Sequence, residues 1–124
     1  MIKWGYLVLG SIAGGIARYT LAGKIYDKLG TTFPYGTLVI NISGCLLIGF
    51  FNSLAEDKFL LGPNERVLLM TGFCGAYTTF STFMLETGNL LRDGEFVLSF
   101  LNIGLSLILG FALFRLGALL GKVI

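Results

Sequence analysis

The chain has 124 residues, 55% of them hydrophobic and 13% charged, with nine basic and seven acidic side chains, two cysteines and no histidine. A mean hydropathy of +0.83 is more than a soluble domain of this length can hide, and soluble chains are about one-quarter charged. Lacking histidine and a third thiol, the chain has no usual ligand set for zinc, haem or redox metal chemistry.

Four apolar windows approach the ~20 residues that cross a ~30 Å hydrocarbon core. They run from Trp4 to Ala22, Tyr35 to Ala55, Val67 to Leu91 and Phe96 to Leu120. The connections are short, so one transmembrane domain over residues 1–124 is expected, and function must lie inside the bilayer. The fold class is therefore an all-α membrane protein of four transmembrane helices.

The first window follows Lys3 and contains Gly10, Gly14 and Arg18. It is expected to be retained, because no small-x-small cleavage site precedes a polar region. Arg18 either snorkels to the headgroups or draws anions to a pore mouth. Lys24, Asp27, Lys28, Gly30 and Pro34 then mark a connection.

On the second span Thr37, Asn41 and Gly44 are spaced i, i+4, i+7 and share one helix face. Cys45 lies mid-span, as does Cys74 on the third, and both read as small apolar residues. A charged stretch from Glu56 to Arg66 forms the next connection.

The third span is uncharged from Val67 to Leu85, yet its centre reads Gly72-Phe-Cys-Gly-Ala-Tyr-Thr-Thr-Phe-Ser-Thr-Phe83. Polar groups at that depth cost several kcal/mol each unless partnered. They must line a helix contact, a binding site or a solute path. Phe80 and Phe83 lie about 60° apart around a helix axis and project in similar directions. Glu86, near the end of the span, is expected at the interface in a solvated or turn-stabilising role.

Asp93-Gly94 forms the last turn. The fourth span repeats Ser99, Asn102 and Ser106 at i, i+3, i+7, with Gly110 one turn on. Small and hydroxyl residues commonly glue membrane helices together. For Asn41 and Asn102, helix glue and pore lining both stay open. A deep carboxylate, which proton-coupled exporters and cation channels need, is missing. The neutral donors Thr37, Ser81, Thr82, Ser106, Asn41 and Asn102 suit an anion instead. Aromatic rings offer it a positive edge.

With an even number of spans, Lys3, Lys58, Arg66, Arg115 and Lys122 fall on one side, and Arg18, Lys24, Lys28 and Arg92 on the other. Orientation follows the basic excess, and five against four is almost no bias. Either a weak signal or insertion in both orientations accounts for it.

Three motifs in order resemble the small bacterial fluoride channels known as Fluc or CrcB. They are Gly14-Gly-Ile-Ala-Arg-Tyr19, the Gly36-Thr-Leu…Asn41…Gly44 run, and the Gly72 to Phe83 segment. The resemblance spans the chain and is most specific in the third motif. It implies an antiparallel, dual-topology homodimer with two pores for fluoride and a third helix broken at mid-membrane. It also implies a structural sodium ion held by the backbone carbonyls of Gly75 and Thr78.

By the same carry-over, Phe80 and Phe83 contact fluoride, Asn41 is the pore amide, and Thr37, Ser81 and Thr82 add hydroxyls. Arg18 matches the first-span arginine of a vestibule. Asn102 stands where the family tends to have tyrosine, with Ser106 at a serine position, which leaves the contribution of Asn102 open. The expected function is passive export of cytoplasmic fluoride from a bacterial inner membrane, with no enzyme activity and no nucleic-acid partner. Two other classes remain: a small multidrug exporter, which needs a first-span carboxylate this chain lacks, and an assembly subunit whose polar stripes are only glue.

Overall fold

The charges that mark the edge of the first apolar window do not end its helix. In the computed structural model, which describes Met1–Ile124, α1 runs Ile2–Leu29 and stops at Gly30. Gly30 takes φ 84°, where a side chain is disfavoured, and its N–H returns to the Tyr26 carbonyl at 2.8 Å. Lys24, Asp27 and Lys28 are compatible with helix and simply carry it past the apolar stretch.

Pro34 precedes α2 (Tyr35–Glu56), the second long helix. The chain then folds back through a connection closed by Arg66, which pairs with Glu56 at 2.5 Å and donates to the Ala55 carbonyl at 3.0 Å. Pro63 opens α3 (Pro63–Arg66) at its first position, where its missing N–H costs nothing.

From Val67 to Cys74 the chain is π-helical, and the N–H of Gly75 reaches five residues back to the Met70 carbonyl. Such wide turns are rare and concentrate at functional sites. The short α4 (Gly75–Tyr77) follows, then two extended residues, then α5 (Phe80–Arg92). After the Asp93-Gly94 turn, α6 runs Phe96–Val123.

The fold is all-helical, with no strand. Tyr35–Glu56, the broken Pro63–Arg92 segment and Phe96–Val123 are each long and apolar enough to cross a membrane. Of the four spans expected, α1 is the one that does not meet that measure. It has ample length, but Ser11, Arg18, Tyr19, Thr20 and its glycines dilute its apolar character.

Two close helix contacts organise the bundle. α1 lies against the π-helical stretch, where a Cβ on Gly10 would stand 2.2 Å from the Leu68 carbonyl oxygen and one on Gly14 2.3 Å from that of Phe73. α2 lies against α6 in the same manner, through Gly49 at the Phe114 carbonyl and Gly117 at the Leu46 carbonyl. Backbone meets backbone in both, which is how helices associate where lipid removes the hydrophobic drive.

Candidate functional site

The break in the third span follows from its two threonines. Thr78 (φ −90°, ψ 158°) and Thr79 (φ −149°, ψ 112°) are both extended, a conformation that β-branched side chains favour. Thr79 also caps α5, its Oγ1 accepting from the Thr82 N–H at 3.2 Å. Threonine is a good residue for that task, since it satisfies one of the helix's orphan donors.

Asn41 on α2 bridges the break. Its Nδ2 donates to the Thr79 carbonyl at 3.1 Å, and its Oδ1 accepts the Thr79 N–H at 2.8 Å. One amide therefore satisfies both backbone groups of an extended residue that has no helical partners. On the other side, Tyr77 is stacked on Phe73 and shares a 2.9 Å hydrogen bond with Ser43.

This arrangement releases two carbonyls. The N–H four residues after Gly75 belongs to Thr79 and goes to Asn41; the one four after Thr78 belongs to Thr82 and goes to Thr79 Oγ1. Neither carbonyl receives its regular helical donor. Gly75 and Thr78 both line an open groove of about 500 Å³ with Asn41, Gly44, Cys45 and Phe80.

Phe80 is 73% exposed and lines that groove, whereas Phe83 is 7% exposed and lines neither it nor the second cavity. Their ring centroids are 5.9 Å apart and their planes tilted by 54°. A second cavity, on the far side of Thr79, is lined by Arg18, Tyr26, Thr37, Thr82 and Glu86 among others. Thr79 borders both spaces.

A family described as CrcB-like protein, Camphor Resistance (CrcB), matches residues 5–118. The chain belongs to that family. It is 46% identical over 122 residues to a protein named fluoride-specific ion channel FluC from Solidesulfovibrio magneticus, covering 98% of each. A protein of the same name from Maridesulfovibrio salexigens is 43% identical, with 100% of this chain and 98% of that one aligned. Another, from Chlorobaculum tepidum, is 48% identical over 91% of this chain and 89% of its own length.

Within this CrcB-like chain, the face Thr37, Asn41 and Gly44 turns as one toward the third span. Thr37 reaches Glu86, Asn41 reaches Thr79, and a Cβ on Gly44 would stand 2.2 Å from Thr78 Cγ2. The fourth-span stripe divides instead. Ser99 and Asn102 are buried against Thr87 of α5, and Gly110 meets Cys45 of α2. Ser106 keeps a buried hydroxyl with no partner.

The expected donors divide into those engaged within the fold and those left over. Thr37 donates its hydroxyl to Glu86, and Asn102 donates to Thr87 Oγ1. Ser81 is exposed, and Thr82 accepts from Thr79 at 3.0 Å while keeping its own proton. Asn41 retains one N–H of its amide, since a side-chain amide carries two.

Glu86 is the residue that sequence reasoning underrated. Its Oε2 accepts from Tyr26 at 2.6 Å and its Oε1 from Thr37. Tyr26 lies sixty positions earlier, on the charged extension of α1 beyond its apolar window. Only a tyrosine one turn before Gly30 hinted that this extension had an inward side.

Proposed function

We propose that the chain is a fluoride-selective channel through which the anion leaves the cytoplasm passively across a bacterial inner membrane. One observation carries this reading: in a membrane-crossing bundle, Phe80 and neutral polar residues line a groove at a helix break, and no carboxylate is in its lining. Both oxygens of Glu86 are already engaged by hydroxyls. The name of the relatives, fluoride-specific ion channel, supports the same conclusion.

Fluoride holds its water tightly, so a path for it must return many weak contacts in sequence. Phe80 and Phe83 supply positive ring edges. Ser81, Thr82, Ser106 and the free N–H of Asn41 supply donors, while Thr37 and Asn102 support their neighbours. None is a strong trap, and an ion must leave a channel as readily as it enters. Arg18, in the second cavity, raises the local anion concentration at one mouth. The process needs no covalent step, so the protein is not an enzyme.

In this reading a second copy in the opposite orientation completes two such paths. Support comes from Ser81 and the Gly75 backbone, which are exposed on a single chain and would leave polar groups facing lipid. The carbonyls of Gly75 and Thr78 fit a structural sodium ion, because hard cations take neutral oxygen donors. No cluster of three His, Cys, Asp or Glu offers another metal site. Sodium there would supply a fixed positive charge between the two paths.

Purified protein in fluoride-loaded vesicles tests the function. Passive efflux of fluoride with chloride retained is expected; proton-driven efflux of organic cations would overturn it. Phe80→Ile and Phe83→Ile should each slow fluoride efflux by about tenfold or more, the rate equivalent of one aromatic electrostatic contact. Dimer assembly on a sizing column should be unaffected. Exchanging sodium for N-methylglucamine throughout purification should reduce both dimer recovery and flux. Unchanged behaviour would remove the ion from the scheme.

A further inference from the structure

Behind the two phenylalanines, α5 and α6 are joined by a buried polar relay that the conduction path leaves unexplained. Asn102 is 1% exposed, and its Nδ2 donates to Thr87 Oγ1 at 3.0 Å. Thr87 Oγ1 in turn donates to the Phe83 carbonyl at 2.7 Å. Ser99 holds the same residue from the other end, donating to the Thr87 carbonyl at 3.2 Å.

Each step has a physical consequence. A threonine hydroxyl bonded to the carbonyl four residues back bends its helix, and here that carbonyl belongs to Phe83. A hydroxyl that accepts one hydrogen bond donates more strongly in the next, so the Asn102 amide tightens the bond on Phe83. α5 starts at the break and is not continuous with α4, so its rotation must be set by lateral contacts. Its main lateral neighbour is α6.

We infer that Asn102 and Thr87 are positioning residues that fix the rotation of α5 and thereby the ring edge Phe83 turns toward a passing anion. This rests on the channel reading above. Asn102, which stands where a pore-lining side chain was expected, acts through Thr87 and does not touch the ion. Ser99 secures the relay.

The test compares full-length wild type, Thr87→Val, Thr87→Ser and Asn102→Leu in vesicles. Efflux is scored as rate per active vesicle and as the chloride-to-fluoride ratio, so that loss of folded protein moves neither. Thr87→Val should slow fluoride by about tenfold, as expected for one lost hydrogen bond, and raise the chloride ratio. Asn102→Leu should shift both in the same direction, and Thr87→Ser should behave as wild type.

A second readout needs no conduction. Para-fluorophenylalanine placed at Phe83 should show a displaced fluorine resonance in Thr87→Val and Asn102→Leu, but not in Thr87→Ser. If Thr87→Val fails to fold, Asn102→Leu carries both measurements. Wild-type rates, ratios and resonance in these variants would overturn the inference. If wild type itself passes no fluoride, the channel reading falls, while the resonance still decides whether the relay positions Phe83.

Discussion

Replacing Asn41 with leucine should abolish fluoride flux and lower the melting temperature of the purified protein together. Thr79 is buried, and Asn41 partners both its N–H and its carbonyl. Leucine removes both bonds at once. Each backbone group left unpaired costs about 1–3 kcal/mol, and proteins hold only about 5–15 kcal/mol in reserve. The break would then either collapse toward continuous helix or lose its register with α2.

Asn41→Asp separates that role from the path itself. Aspartate keeps the acceptor for the Thr79 N–H but loses the donor to the carbonyl, and it adds negative charge beside the groove. Its melting temperature should fall less than that of the leucine variant, yet fluoride flux should still disappear because the charge repels the anion. If Asn41→Leu melts and conducts as wild type does, Asn41 is not what holds the break.

The break is expected from the family resemblance and from Gly72 and Gly75, and the structure shows that its causes are local. Gly72 and Gly75 weaken helix, two adjacent threonines favour extended backbone, and a threonine caps the helix that resumes. The long helices were legible from apolar runs alone. Their ends were not: α1 continues to Leu29 and the third segment begins at Pro63, because a helix can outlast the lipid it crosses. Hydropathy reports the solvent, whereas the helix ends where Gly30 or Pro63 changes the backbone.

Pairings across the bundle were the illegible part. Spacing placed Ser99, Asn102 and Ser106 on one face but could not say what that face meets. Two of the three contact Thr87, and the third has no partner. Glu86 is expected at the interface because it lies near the end of the third span. Its hydroxyl partners come from α1 and α2, at separations of 60 and 49 residues. The π-helical stretch was equally hidden, since Val67 to Cys74 is apolar but for Thr71 and Gly72 and carries no period to read.

Gly14 and Gly15, adjacent in sequence, should respond oppositely to alanine. A Cβ on Gly14 would stand 2.3 Å from the Phe73 carbonyl oxygen and 3.0 Å from its carbon, both backbone atoms that cannot turn aside. α1 would have to retreat by about 1 Å to restore van der Waals contact, and overpacking of this kind costs about 1–3 kcal/mol. The displacement would fall on Phe73, which stacks on Tyr77 at the edge of the break. Gly14→Ala should therefore lower the melting temperature and slow flux, and Gly14→Val should prevent assembly. A Cβ on Gly15 meets nothing within 4 Å, so Gly15→Ala should be neutral or stabilise α1 by up to about 1 kcal/mol through helix propensity. Equal melting temperatures for the two alanine variants would mean that α1 does not depend on backbone contact with the π-helical turn.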